Sequence, residues 1–282
     1  MKCKRFFWIL QVIVLSVISI IGCENDTNKP NSDFVYPLMV GNNWEYDKTY
    51  TFDYDELATS NGLVDTTLTS TAFVNIIANE VIFDSIDVYN FSTLLNDNGN
   101  IITGNEYYNN NDNCLFSYGY TNPLMFTPKA IENFAFFIFD DKKFNNVKEI
   151  VDYIEKGIIG NEHSKDDSIY YDPVKSLEYP LNEDSHWIYR TSNNPWRIDK
   201  EIVGWNEIDV PAGRFNCWIV KWTFPESSWN DDIDYNDFIS EQGLIKRIIE
   251  FRDLDCIDEN GNFIGHINII EETYLTDFHI NN

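Results

Sequence analysis

The strongest constraint on the fold is a two-residue alternation of aromatic and polar residues, which fits a β-strand but not an α-helix. Trp44, Tyr46, Tyr50 and Phe52 stand at even spacing within residues 42–52. They predict a strand that buries one face and exposes the other. Similar patterns predict further strands near 70–78, 80–84, 86–95, 101–108 and 114–118.

Turn signals separate these segments. Asn-Gly pairs at 61–62, 98–99 and 260–261 each stand between apolar runs. Asn-Gly readily adopts the positive φ angles of a tight hairpin turn. Residues 210–213 (Val-Pro-Ala-Gly) predict another turn, with proline pre-set at its first central position. The chain is therefore predicted to be mainly β, built from sequential antiparallel hairpins.

The strand predicted after that turn is apolar at both its odd and its even positions. Such a strand is buried on both faces or lines an interior cavity. We therefore take five of its residues as candidates for the core or for a ligand-binding wall: Phe215, Trp218, Val220, Trp222 and Phe224.

One segment has a helical period instead. Val147, Ile150, Val151 and Ile154 stand at positions i, i+3, i+4 and i+7, which makes one apolar face of a helix. A short amphipathic helix over 146–157 is predicted to pack on the sheet, as a brace or as a lid over a pocket.

The N-terminal residues have the pattern of an export signal. A basic start is followed by an apolar stretch from Phe6 to Ile21 and then by Gly22-Cys23. That stretch has 16 residues, short of the roughly 20 that a spanning helix needs. The pattern predicts a signal peptide over 1–22 and acylation of Cys23, which would anchor the chain to a membrane of the bacterial envelope, facing the periplasm or the surface. Residues 23–33 predict a lipidated cysteine with a flexible tether, and 34–282 a β-rich envelope domain.

The charge excludes some partners. The chain has 20 basic and 46 acidic residues. Without residues 1–22 there remain 17 basic residues and a net charge of −29. Such a field repels nucleic acid and anionic headgroups, so a nucleic-acid partner is disfavoured.

A short internal echo suggests two halves. Tyr36-Pro37-Leu38 precedes Trp44 with the spacing by which Tyr179-Pro180-Leu181 precedes Trp187. If it reflects a duplication, the halves are 34–160 and 161–282. Coincidence is the alternative explanation of so short an echo.

Three short motifs occur in order along the chain. They are Pro-Leu-x-x-Gly-Asn-x-Trp-x-Tyr at 37–46, Val-Pro-Ala-Gly-x-Phe with a following aromatic at 210–218, and Gly-Leu-Ile-Lys at 243–246. In this order they resemble a broad group of bacterial envelope lipoproteins, although Glu241-Gln242 stand where the group often has a second glycine. The resemblance implies a curved antiparallel sheet or half-open barrel with a concave apolar face. Such a sheet is similar to the half-barrels of lipoprotein carriers of the LolA and LolB type. The resemblance implies no catalytic residues.

Signatures of common enzymes are absent from the sequence. There is no Gly-x-Ser-x-Gly motif and no Gly-rich phosphate loop, and His163, His186, His266 and His279 are not in metal-binding spacing. We therefore expect a protein that is not an enzyme and holds no metal. A hydrolase site assembled from dispersed carboxylates is the alternative that so acidic a chain leaves open.

The cysteines allow little cross-linking. Cys3 lies in the predicted signal peptide and Cys23 is the predicted acylation site, which leaves Cys114, Cys217 and Cys256. An odd number in an oxidising compartment permits one disulfide at most. The favoured bridge joins Cys217 to Cys256, because both lie on or beside late strands.

Two loops invite ligands. Asp231, Asp232, Asp234 and Asp237 form an acidic stretch that could hold calcium, with simple solvation as the alternative, and no other cofactor is expected. Aromatic rings stack on sugars, and the tryptophans in the most polar contexts are Trp196 and Trp229, the two predicted to be exposed.

Three functions are compatible with these sequence features. The first is a non-catalytic β-rich binding domain for a lipid, another apolar ligand or an envelope partner. The second is a surface protein that binds a glycan or a protein through loop aromatics. The third is the hydrolase.

Overall fold

A computed structural model of the protein describes residues 29–97, 99–111, 113–121, 136–140, 142–144, 149, 168–191, 197–225, 227 and 229–281. Within this part of the chain, strands dominate. The strands are β1 (Asn43–Tyr54), β2 (Thr66–Ile82), β3 (Ile86–Asp97), β4 (Asn100–Asn110), β5 (Cys114–Thr121), β6 (Phe136–Phe139), β7 (Lys142–Phe144), β8 (Ser168–Glu178), β9 (His186–Arg190), β10 (Ile198–Val210), β11 (Gly213–Thr223), β12 (Ile233–Ser240), β13 (Gly243–Ile257) and β14 (Phe263–His279). A short helix α1 spans Glu56–Ser60, and a turn of 3-10 helix spans Asn230–Asp232.

Twelve strands follow one another in a single antiparallel sheet, in the order β8-β5-β4-β3-β2-β1-β14-β13-β12-β11-β10-β9. Two meanders, β1–β5 and β9–β14, are joined where β1 pairs with β14. The edge strands β8 and β9 approach each other, since the indole of Trp187 donates to the Lys175 carbonyl at 3.1 Å. The sheet is therefore a nearly closed barrel, which confirms the predicted mainly β class and its curved antiparallel sheet.

The predicted strands exist, with two corrections at the turns. Segments 70–78 and 80–84 are one strand, β2, whose bulge between Ile76 and Ala78 keeps both parts paired with β3. The Asn61-Gly62 pair is not a hairpin turn; it ends helix α1, which connects β1 to β2. The turn at 258–262 is a hairpin, in which the Asp258 carboxylate accepts from the backbone N–H groups of Asn260 and Asn262 at 2.8 Å each.

Helix α1 was not predicted from the sequence, and it packs against β14 at Gly265. Asp55 caps it by accepting from the backbone N–H of Ala58 at 2.7 Å. Gly265 of β14 faces this turn with φ +134°, and any Cβ there would collide with Ala58 and Asp55. Glycine at this position therefore lets the helix pack directly on the strand.

Residues 31–42, here called the plug, cross one end of the barrel. The Ser32 carbonyl accepts from the Leu181 N–H at 3.0 Å, and the Tyr36 carbonyl accepts from the Asn110 amide at 2.7 Å. The buried Asn42 donates to the Pro37 carbonyl at 2.8 Å and fixes the plug at the start of β1. The plug thus closes the end of the barrel nearest the predicted tether.

The two echo segments meet at this end, where the Tyr36 N–H donates to the Tyr179 hydroxyl at 3.0 Å. Their strands belong to one sheet. Whether they descend from a duplication stays a prediction, as do the domain boundaries. The predicted helix over 146–157 falls, apart from Glu149, outside the described residues, as do 1–28 with the signal peptide and Cys23. No helix of the described residues is long and apolar enough to cross a membrane.

Candidate functional site: a cavity inside the barrel

The inner face of the barrel forms a partly open cavity of about 380 Å³ beneath the plug. Its lining comes from the inner face of β1–β5 and β8–β14, with Tyr36 of the plug at one end. This volume lies in the range of small-molecule sites, roughly 300 to 1,000 Å³. The lining divides into two walls of different chemistry.

The apolar wall comprises inward side chains of β2, β3 and β5: Ala72, Val74, Phe91, Leu95 and Leu115. Phe91 stacks on Trp44, with ring centroids 5.9 Å apart and planes 9° apart. Tyr36 contacts both rings from the plug. This wall offers apolar surface whose burial by a ligand contributes about 25 cal/mol per Å².

The charged wall comprises Lys200, Trp222, Asp237, Arg247 and Glu271, on the five consecutive strands β10–β14. At its centre the Arg247 guanidinium contacts the Asp237 carboxylate through two N–H groups, at 2.6 and 3.2 Å. The indole N–H of Trp222 donates to the same carboxylate at 2.8 Å. Burial alone would lower the pKa of Arg247, but Asp237 outweighs it and holds that pKa well above its usual value.

Glu271 forms the second ionic centre. It accepts from the Tyr50 hydroxyl and pairs with the Lys48 ammonium at 3.0 Å. Burial alone would raise the pKa of Glu271, but Lys48 and the Tyr50 hydroxyl outweigh it and leave that pKa below its usual value. Glu271 is therefore a carboxylate whose charge is compensated within the protein.

Lys200 is the exception on this wall. It is 4% exposed, and its ammonium lies 3.7 Å from the ring centre of Trp222 and 4.3 Å from that of Tyr189. Its hydrogen bond goes to a neutral acceptor, the Ser176 carbonyl, at 3.2 Å. Burial lowers the pKa of Lys200 to about 7, with Arg247 adding to the effect and Asp237 opposing it.

The predicted ligand-binding strand is β11, but only one of its five candidates lines the cavity. Trp222 does so, stacked on Tyr235 with centroids 4.4 Å apart. Trp218 and Val220 are buried in the core below the plug, where the Trp218 indole donates to the Asn31 carbonyl at 3.3 Å. Phe224 and Phe215 also lie outside the cavity lining. Phe224 packs against Trp229, and Phe215 is half-buried against Phe278.

The prediction that Trp229 is exposed is wrong. Its side chain is 2% exposed and packs between Phe224 and Phe139, with ring centroids 4.9 and 5.1 Å away. Ser227, a polar neighbour that suggested exposure, closes a turn in which its backbone N–H donates to the Phe224 carbonyl at 3.0 Å. Trp196 lies outside the described residues.

The predicted disulfide between Cys217 and Cys256 is also wrong. Both are free, buried thiols, as is Cys114. Strand β12 separates their strands, and Cys256 lies about twelve positions further along β13 than the residue level with Trp218. At about 3.3 Å a residue this distance far exceeds the reach of a disulfide. Burial raises the pKa of each of the two thiols to about 12.

The four aspartates proposed for calcium do not form one cluster. Asp237 faces the cavity and binds Arg247, whereas Asp234 lies 3.3 Å from Arg252. Among the described residues, no group of three or more His, Cys, Asp and Glu is placed to hold a metal ion. His186 pairs with Asp199 at 3.1 Å and His266 with Asp255 at 3.2 Å, while His163 lies outside the described part.

Reasoning from the sequence missed the cavity residues Lys200, Arg247 and Glu271. The signal was present in β14, where Glu271 and Thr273 interrupt the apolar alternation of Ile267, Ile269 and Leu275. A charged residue on a buried face is costly unless it is paired, so it marks either an internal network or a site. That Lys200, Arg247 and Glu271 line the same cavity could not be predicted without knowing which strands pair.

Fold and cavity together define this chain as a barrel-like β protein with a partly open, amphipathic site. No family model matches the sequence, and no curated protein matches it significantly. Two solved structures are similar in overall shape. One is a candidate exported protein with a YmcC-like fold from Bacteroides fragilis, 12% identical, with a TM-score of 0.39 over 88% of this chain and 99% of that one. The other is a candidate lipoprotein from Parabacteroides distasonis, 15% identical, with a TM-score of 0.36 over the same shares.

Proposed function

We propose that the protein is a lipid-anchored protein of the bacterial envelope whose barrel binds an apolar or amphiphilic small molecule, without catalysing a reaction. The observation that carries this proposal is the cavity of about 380 Å³ inside the barrel, lined on one side by apolar side chains. A concave apolar surface of this kind favours a ligand with a hydrocarbon part.

The anchor is supported by the basic and apolar segment that ends at Cys23. Cys23 lies eight residues before the plug in the sequence, and the plug seals one end of the barrel. Acylation of Cys23 would therefore place the sealed end toward the membrane. Metabolic labelling with radioactive palmitate tests this point: label should enter the wild-type chain and be absent from Cys23→Ser.

A non-catalytic role is supported by the state of the two buried acids of the cavity. Asp237 and Glu271 are each compensated by a cation and a hydrogen-bond donor. A carboxylate held in this way is a poor general base, because losing its charge would leave its partner cation uncompensated. The thiols Cys217 and Cys256 are kept protonated by burial and are poor nucleophiles.

Native mass spectrometry tests the binding proposal. Residues 24–282, exported to the periplasm and purified without detergent, should carry a mass adduct that leaves on denaturation. Val74→Trp should lose it, because Val74 faces the cavity, whereas Phe73→Trp should keep it, because Phe73 is 37% exposed on the same strand. A bare mass in all three proteins at adequate sensitivity would count against a tightly bound ligand.

A further inference from the structure

Lys200 is the one charge of the charged wall that lacks an ionic partner among the described residues. The Asp237 carboxylate accepts hydrogen bonds from Arg247 and Trp222. The Glu271 carboxylate pairs with Lys48 and accepts a hydrogen bond from Tyr50. Lys200 has three N–H donors, and one of them is used by the Ser176 carbonyl. Within the described part of the chain no carboxylate pairs with it.

The charge balance inside the barrel opposes that of the whole chain. Among the described lining residues, four are basic and three acidic: Lys48, Arg190, Lys200 and Arg247 against Glu106, Asp237 and Glu271. The chain as a whole has a net charge of −26. When Lys200 is protonated, this excess of one positive charge favours an anion over a cation in the cavity.

The rings around Lys200 hold it at the cavity surface. Trp222 and Tyr189 face the ammonium from β11 and β9, and Trp222 is itself fixed by its bond to Asp237. A cation between two rings is stabilised by their π-electrons, but these rings supply no counter-charge. The side chain is therefore held in place before any ligand arrives.

We propose that the ligand of the cavity is a single-chain amphiphile with a carboxylate head, such as a fatty acid, whose head pairs with Lys200 while its chain lies on the apolar wall. This inference rests on the proposed binding function and adds the chemical class of the ligand. An ammonium–carboxylate hydrogen bond in such a site raises affinity by about tenfold or more over a neutral head of the same shape.

The pairing should depend on pH through Lys200. The titratable groups nearest Lys200 are Tyr189, whose ring it contacts, and Asp237 and Arg247, which act on its pKa. The other charged residues of the cavity lining are Lys48, Arg190, Glu106 and Glu271. Arg247 stays charged because its pKa is raised, and Tyr189 stays neutral because burial raises its pKa. Since burial lowers the pKa of Lys200 to about 7, the preference for an anionic head should fall as the pH rises from 6 to 9.

Photocrosslinking on the full-length chain in lipid nanodiscs tests the inference. The probe is a fatty acid with a diazirine near its tail, and crosslinks are mapped by mass spectrometry to peptides of β2 and β3. Decanoate and decanamide then compete with the probe, because they match in size and differ in charge. At pH 6.5, decanoate should displace the probe at a concentration at least about tenfold lower than decanamide.

Three variants assign the preference. Lys200→Met should bring the two competitors within about threefold of each other, whereas Lys200→Arg should keep much of the preference for decanoate. Lys221→Met on the neighbouring strand is the matched control and should behave as wild type. Crosslinks in the cavity with equal competition in wild type would overturn the carboxylate assignment and leave the binding function standing. No cavity crosslink that either competitor reduces would overturn the binding function itself.

Discussion

The apolar wall and the charged wall belong to the same barrel, yet they are stabilised by different physics. The apolar wall contributes to the stability of the fold because its side chains are removed from water. Truncating one of these side chains costs the contacts it made and leaves a larger void. The charged wall contains groups that are costly to bury alone. Asp237, Arg247 and Glu271 are compensated by partners, whereas Lys200 has no such partner among the described residues. The comparison teaches that the first wall suits an apolar chain of varied shape, whereas the second can recognise one particular group.

The largest expected effect comes from breaking the centre of the charged wall. Asp237→Ala leaves the Arg247 guanidinium and the Trp222 indole without their shared acceptor. We expect a loss of about 3–5 kcal/mol in the free energy of unfolding, measured by urea denaturation. The double variant Asp237→Leu/Arg247→Met should recover most of this loss, because it removes both charges. A single variant as stable as wild type would show that the pair is not desolvated.

A substitution in the apolar wall should lower the free energy of unfolding by less than Asp237→Ala does. Leu95→Ala removes an apolar side chain that is 2% exposed and lines the cavity. We expect a loss of about 2–3 kcal/mol, toward the low end for a buried leucine, because the side chain already borders an open space. The same urea series measures it. A loss larger than that of Asp237→Ala would reverse the ranking of the two walls.

Replacing Lys200 should stabilise the protein. Its pKa falls from 10.5 to about 7 on folding, so below pH 7 both states are protonated and the full cost of burying the charge is present. As the pH rises from about 7 to 10.5, the folded state releases a proton that the unfolded state keeps, and that cost disappears. Lys200→Met should therefore gain about 1–3 kcal/mol at pH 6, after the lost ring contacts are counted, and much less at pH 10. A gain that does not depend on pH would contradict this account.

The sequence predicts the scaffold better than the site, and particular residues show why. Strand β1 was predictable because Trp44, Tyr46, Tyr50 and Phe52 bury one face, and alternation is a local signal. The cavity was not, because Arg247, Asp237 and Trp222 meet only through the pairing of three strands. Predictions that rested on the immediate neighbours of a residue, such as an exposed Trp229, were wrong where a turn reversed its direction.

The smallest expected effect concerns an ion pair with the same chemistry outside the barrel. On the β10–β11 hairpin, Arg214 contacts Asp209 at 2.8 Å, with side chains 63% and 69% exposed, whereas Asp237 in the internal pair is 5% exposed. Water and salt screen the outer pair, so its partners lose little when separated. Arg214→Ala should leave the urea midpoint unchanged within error, and added salt should not alter that result. If Arg214→Ala and Asp237→Ala destabilised the protein equally, the charged wall would owe its effect to arginine–aspartate geometry and not to enclosure in the barrel.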